Sequence, residues 1–237
     1  MKIVHYCAVA AVIGCLFIGA CPSRAFAADQ APNTLTAEEE ATGWKLLFDG
    51  KTTNGWRSFR GKTMSDGWQV VDGALTRVKT AGDIVTVDQY DYFELSLEYK
   101  ISRGGNSGVM FHVTEDFPRP WQTGPEVQIL DNKEGEDPQK SGWLYQLYKS
   151  DTDATKPAGE WNQLLILIAP EKSEVWMNGV KYYDFVIGSQ DWNDRVAKSK
   201  FKDMPRFGKA AKGYIDLQEH PGEVAFRNIK IRPLPAK

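Results

Sequence analysis

From Trp44 onward, short runs of Val, Ile, Leu and aromatic residues alternate with turn signals, and apolar positions recur at every second residue. That period belongs to half-buried strands, not helices. Asp49-Gly50, Asn54-Gly55, Asp72-Gly73, Gly104-Gly105 and Asn178-Gly179 punctuate the runs. The pattern predicts strands near 44–48, 67–71, 74–79, 83–86, 92–101, 107–114, 125–130, 143–147, 161–169, 172–177, 180–187, 213–219 and 223–232. Asp72-Gly73 and Asn178-Gly179, each between two apolar runs, predict tight hairpins. Asp191 to Lys200 is the predicted helix, with Trp192, Val196 and Lys200 on one face. Many short strands without crossover helices predict an all-β fold. The expectation is one antiparallel β-sandwich, a jelly roll with one concave face, over residues 44–235. Residues 28–43 are polar and acidic and read as a tether or short helix outside the core.

The first 27 residues read as a signal peptide. Lys2 supplies the positive start, Tyr6 to Ala20 is an apolar run short for a bilayer, and Ala25-Phe26-Ala27 is a small-x-small cleavage signal. Ile18-Gly19-Ala20-Cys21 resembles a lipoprotein box, which would instead leave a lipid anchor on Cys21. Cleavage after Ala27 is the preferred reading, with a periplasmic or secreted product; an outer-membrane lipoprotein is the alternative. Cys7, Cys15 and Cys21 all fall in this leader region. A chain cut after Ala27 has no disulfide, no thiolate metal site and no cysteine nucleophile. No later apolar run is long enough to form a transmembrane segment.

Charge narrows the partners. Of 29 basic residues, Lys2 and Arg24 leave with the leader, so 27 face 31 acidic ones, a net of −4. No basic stripe appears, which argues against nucleic acid. The 8 Trp, 9 Tyr and 11 Phe with 21 Gly suit a turn-rich β core. Aromatic faces also suit sugar rings, so a carbohydrate partner is consistent with them.

Strand alternation sorts the polar candidates. Glu126 and Gln128 share one face of 125–130, opposite Val127 and Ile129. Tyr214, Asp216, Gln218 and His220 share a face opposite Ile215 and Leu217. His112 is expected beside Met110, away from Val109, Phe111 and Val113. A sandwich always has a solvated polar face, so the plain structural reading stands beside a functional one. His112 and His220 are the histidines left after the leader, and both fall on such faces. Gly104 to Gly108 is a tight turn carrying the Asn106 amide, and no helix follows it to make a phosphate site. Zinc spacing, a nucleophile elbow and a dinucleotide fingerprint are all missing.

In order along the chain, several motifs resemble one known family. They are Trp44-Lys45-Leu46-Leu47-Phe48-Asp49-Gly50 with Gly55-Trp56, Asn106-Ser107-Gly108, Glu126-Val127-Gln128-Ile129-Leu130-Asp131 and Lys156 to Asn162. Asn178-Gly179, Lys200 to Pro205, and Leu217-Gln218-Glu219-His220 before Phe226-Arg227-Asn228-Ile229 complete the set. Together, over about 44–234, they resemble the 3-keto-disaccharide hydrolase domain family, long catalogued as a domain of unknown function. The resemblance implies a concanavalin A-like jelly roll, export, and cleavage of glycosides already oxidised to a ketone at C3. Many relatives carry Arg where His112 stands, and Gln-Asp-His-Gly where this chain has Gln218-Glu219-His220-Pro221.

A 3-keto sugar has an acidified C2 proton, so elimination of the C1 substituent followed by hydration is the expected chemistry. It requires a base, a donor to the enolate oxygen and an acid for the leaving group. His220 or Glu126 is the candidate base. His112, Gln128 or Asn106 is the candidate for polarising the ketone, with Gln218 beside them and Asp131 a weaker candidate. Trp121, Trp143 and Tyr145 are candidates for stacking on the sugar. Glu126 with Asp216 would instead suit ordinary two-carboxylate glycoside hydrolysis. A lectin-like carbohydrate-binding domain is the alternative from another class, because fold alone does not decide activity. No cofactor is expected; loop calcium stays open, with Asp131-Asn132 and Asp151-Asp153 too sparse to define a site.

Overall fold

The computed structural model describes residues 31–235. The expected leader and Cys21 lie outside the described residues. No helix among those described is long and apolar enough to cross a membrane.

Two antiparallel sheets face each other. The larger contains β1 (Lys45–Leu46), β3 (Trp68–Val71), β4 (Ala74–Arg77), β6 (Phe93–Ile101), β9 (Asn162–Ile168), β10 (Ser173–Met177), β11 (Val180–Phe185) and β13 (Val224–Pro233). Its order is β11-β10-β9-β6-β13-β4-β3, with β1 also paired to β13. The smaller contains β2 (Trp56–Ser58), β5 (Ile84–Thr86), β7 (Asn106–Val113), β8 (Glu126–Leu130) and β12 (Tyr214–Leu217), in the order β2-β5-β12-β7-β8. The core lies between the sheets, where strict alternation puts Phe93, Leu95, Leu97, Tyr99 and Ile101 of β6 against Val109, Phe111, Val127, Ile129, Ile215 and Leu217.

Both predicted hairpins form. Asp72 and Asn178 each take φ +48° and the glycine after each is also positive, the backbone that a two-residue turn between twisted strands needs. The predicted helix is α2 (Gln190–Lys198), capped by the Ser189 side chain and anchored by buried Trp192. It stops before Lys200, so that residue leaves the helix face expected for it. The strand expected at 143–147 is reduced to single bridges from Leu144 to Val127 and to Tyr148, because the chain turns back at once through Gln146 at φ +60°. Within the expected tether, Ala37–Ala41 forms a short helix (α1) with a Thr36–Glu39 capping box. This helix is docked against the sandwich, since Lys230 Nζ contacts both buried Glu39 carboxylate oxygens at 2.9 Å.

Three register shifts interrupt the strand pairing, one between Val175 and Trp176 where β10 meets β11 and two at residues of positive φ. In β13 the register shifts between Arg227 and Lys230, with Asn228 at φ +51°. In β7 the pairing moves from Met110–Asp216 to Val113–Tyr214, so the extra residue falls at Phe111-His112, with His112 at φ +54°. Gly213 makes this bulge sterically feasible, because a Cβ there would sit 2.4 Å from the His112 carbonyl carbon.

Candidate active site

The outer face of the smaller sheet is assembled by register. Arg57 lies opposite Val85, Val85 opposite Asp216, Asp216 opposite Met110, and Met110 opposite Glu126. Paired residues point to the same side, so these five side chains form one row across all five strands. The next row pairs Gly108 with Gln128. Gln218 joins it by donating its backbone N–H to the Gly108 carbonyl at 2.9 Å.

Gly108 is the hollow in this floor. The Glu126 carboxyl leans over it, and a Cβ on Gly108 would lie 2.4 Å from Glu126 Oε1. The Gln218 side chain lies near the same carboxyl from one side and draws its pKa down. From the other side the Gln128 amide, turned to face its acceptors, donates to Glu126 Oε1 at 3.2 Å and to the Ser107 carbonyl at 2.9 Å. Glu126 is thus a carboxyl held between two neutral amides.

The expected solvated face is in fact covered. Glu126, Gln128 and Asp216 are 5%, 1% and 0% exposed. Trp121, on a single 3-10 turn (Pro120–Gln122), packs over Val85, Met110 and Val113. Residues 142–145 run beside β8: Gly142 N–H donates to the Gln128 carbonyl at 2.8 Å and Tyr145 N–H to the Glu126 carbonyl at 2.9 Å. This brings the half-buried Trp143 and Tyr145 to the edge of the floor. The segment after α2 closes the third side, where Lys200 N–H donates to Gln146 Oε1 at 2.8 Å. Lys200 Nζ then lies 4.0 Å from the centroid of the Tyr145 ring and 5.9 Å from that of Trp121.

Burial governs the charges. Desolvation pushes the Glu126 pKa up from 4.5 to about 8; Asp83 and Asp137 push the same way, while Lys200 and the Gln218 side chain oppose it. Asp216 is raised well above its ordinary 3.8 by desolvation and by Asp83 and Glu126. Neither Asp216 oxygen has a hydrogen-bond partner among the described residues. Asp83, which accepts the Glu219 N–H at 2.7 Å, is raised to about 6, again chiefly by burial. Desolvation lowers the Lys200 pKa, against the pull of Glu126 and Asp137. Three carboxyls and one ammonium therefore share this face, with the acids biased toward their neutral forms.

Several expected placements change. His112 does not share a face with Met110. The bulge turns it toward the core, edge-on to Phe93 and Phe111, with Nε2 2.7 Å from the Asp91 carbonyl. Val113, placed by alternation in the core, takes the outer face with Met110 instead. Strand β8 ends at Leu130, and the Asp131 carboxylate braces turns by accepting the Gly104 and Lys133 N–H groups at 2.9 and 3.1 Å. His220 lies beyond the end of β12 and is exposed. Asn106 stands on the same face as Gly108, with its Oδ1 buried and unpartnered among the described residues. Asp153 accepts from Asn132 and Thr155. Among the described residues no group of three or more His, Cys, Asp or Glu is placed to hold a metal ion. Lys200 and Asp83 were not candidates from the sequence. Lys200 sat on a predicted helix face, and Asp83 at the first position of a predicted strand carried no motif of its own.

A family model for the 3-keto-alpha-glucoside-1,2-lyase-like domain matches residues 43–232. The chain belongs to this family. A protein named 3-keto-disaccharide hydrolase from Bacteroides thetaiotaomicron is 29% identical, covering 85% of this chain and 82% of that protein. Among solved structures, a candidate glycosyl hydrolase from Parabacteroides distasonis superposes with a TM-score of 0.82 at 39% identity, over 86% of this chain and 100% of the other. A second from the same organism gives a TM-score of 0.63 at 30% identity, over 81% and 99%. The family match spans every residue of the floor just described, including Asp83, Gly108, Glu126, Lys200 and Gln218.

Proposed function

We propose that this protein cleaves 3-keto-glycosides by elimination and hydration, with Glu126 as the proton-transfer group. The single observation that carries the reading is the Glu126 carboxyl, lodged on Gly108 between Gln128 and Gln218, with its pKa brought near neutrality by burial. A group that must take a proton and return it works best when its pKa lies near the working pH. The family description and the relative's name support the same chemistry.

In the proposed reaction the Glu126 carboxylate removes the C2 proton, and the C2–H electrons move into the C3 carbonyl to give an enolate. The enolate reforms the carbonyl and expels the C1 oxygen substituent, leaving a C1–C2 double bond. The departing alkoxide takes the proton that Glu126 has accepted and leaves as the alcohol, which returns Glu126 to the carboxylate. Water then adds across C1–C2, with hydroxyl at C1 and a proton at C2. The net change is glycoside plus water to keto sugar plus alcohol. Gln128, Gln218 and Asn106 are the proposed contacts to sugar hydroxyls, and Trp143, Tyr145 and Trp121 the proposed aromatic rim.

Two-carboxylate hydrolysis is less well supported. Asp216 is separated from Glu126 by Met110, two strand spacings or about 10 Å between Cα atoms, and it is fully buried, so it lacks the access that a nucleophile or water-activating base needs. A purely lectin-like role does not account for two buried carboxyls, Glu126 and Asp216, under the rim with the half-buried Asp83. Export through the 1–27 leader is part of the proposal, tested by the N-terminal sequence of the mature protein.

The test of function is aglycone release from a 3-keto-glucoside and from the unoxidised glucoside. Release from the keto substrate alone supports the reading. Release from the plain glucoside replaces it with hydrolysis, and release from neither, over several aglycones, replaces it with binding.

A further inference from the structure

The Lys200 ammonium is held by aromatic faces and not by anions. Its Nζ lies 4.0 Å from the Tyr145 centroid, 5.2 Å from Phe201 and 5.9 Å from Trp121. Among the described residues no hydrogen bond or ion pair occupies it, although its backbone is pinned to Gln146. A flexible, strongly hydrated lysine head normally points to water or pairs with a surface carboxylate. Lys200 is exposed, but its head lies against aromatic rings with three unspent N–H donors at the mouth of the floor that holds Glu126. The charged or titratable groups facing it are Glu126 from β8, Asp137 from the following loop and Tyr145 from the bridge segment. Tyr145 is itself fixed, its hydroxyl donating to Asp137 Oδ2 at 2.8 Å. Asp137 is thus engaged by Tyr145, and Glu126 by two amides.

We propose that Lys200 is the catalytic cation that stabilises the enolate oxygen formed at C3 of the substrate, with Tyr145 and Trp121 as the platform that holds it in place. The inference rests on the elimination reading above. Proton removal by Glu126 creates negative charge on one oxygen of the sugar. The amides and protonated carboxyls of the floor are neutral donors, and Lys200 supplies the positive charge that the enolate requires. A donor already in place needs no reorganisation when that charge appears, which is why it favours the transition state over the bound ketone. The cation–π contacts hold the head without neutralising it. In sequence this residue sits just past the end of α2, and Ser199 at the cap turns the chain so that the side chain leaves the helix.

The test compares wild type with Lys200→Met and Lys200→Arg on the 3-keto-glucoside, recording kcat, KM and melting temperature. Loss of an oxyanion-type donor is expected to lower kcat of Lys200→Met by about 100- to 1000-fold. KM should change by less than about fivefold and the melting temperature should stay level, because the ammonium makes no buried pair. Lys200→Arg should recover at least about tenfold of that loss, since it restores the charge but not the point geometry. Exchange of the C2 proton with deuterated water should slow in step with kcat. A Lys200→Met protein with wild-type kcat overturns the proposal, as does one that loses KM alone. Wild-type inactivity on keto substrates would overturn the elimination reading itself, a separate and distinguishable result.

Discussion

Replacing Glu126 by Gln should make the protein more stable at neutral pH while disabling it. The carboxyl is 5% exposed, and its pKa moves from 4.5 to about 8 on folding. A raised pKa means that the folded state holds the proton more tightly than the unfolded chain does. The group's contribution is therefore fully present below pH 4.5 and is lost progressively as pH rises toward 8. At pH 7 the unfolded chain is ionised and the folded one mostly is not, which costs the wild type about 3 kcal/mol. Gln has nearly the same shape and no proton to lose. The variant should recover part of that cost, on the order of 1–3 kcal/mol, which for a domain of this size corresponds to a rise of about 2–10 °C in melting temperature. The assay is thermal unfolding of both proteins from pH 4 to pH 9. The two curves should meet near pH 4 and separate steadily up to pH 8. In parallel, kcat on the 3-keto-glucoside should fall by about 100- to 10,000-fold. Equal melting temperatures at all pH values, or a less stable variant at pH 7, would refute the claim that Glu126 is a desolvated carboxyl.

Asp216→Asn should likewise raise the melting temperature at pH 7, because burial raises the Asp216 pKa in the same direction; a lower melting temperature would show that its carboxylate has a favourable partner. Gly108→Ala places a methyl 2.4 Å from Glu126 Oε1 and must displace the carboxyl, so kcat should drop at least about tenfold with little change in the far-ultraviolet spectrum. Unchanged kcat in that variant would mean that the position of Glu126 over Gly108 is unimportant. His220→Ala should keep the wild-type melting temperature and at least about a tenth of the activity, since His220 is exposed beyond β12; a loss above about 100-fold would transfer the base role to it.

The strands and their faces were legible because alternation is a local signal that the core enforces. Val127, Ile129, Ile215 and Leu217 went to the core as the period requires, which put Glu126, Gln128 and Asp216 on the other side. The bulge at His112 was not legible. One extra residue reverses every later side chain in a strand, and its signs here are a non-glycine at positive φ and Gly213 across the pair, neither visible as a pattern. The placements of Asp131 and His220 were not legible for a related reason. Each lies just past a strand end, where alternation no longer applies. Burial of the polar floor was also hidden, because the cover comes from Trp121, residues 142–145 and Lys200 in long connections. The placement of these segments depends on contacts made far along the chain. Gly108 is the intermediate case: the turn expected over Gly104 to Gly108 stops at Gly105, Asn106 to Gly108 already pair within β7, and the use of Gly108 as a seat for the Glu126 carboxyl depends on that pairing.

The central claim is proton transfer at C2, and the most direct measurement is turnover of a 3-keto-glucoside in deuterated water with the product read by nuclear magnetic resonance. Elimination followed by hydration predicts one deuterium at C2 of the released keto sugar, formed at the rate of aglycone release and absent with Glu126→Gln. A product that keeps its original C2 proton while the aglycone leaves at full rate would contradict the account.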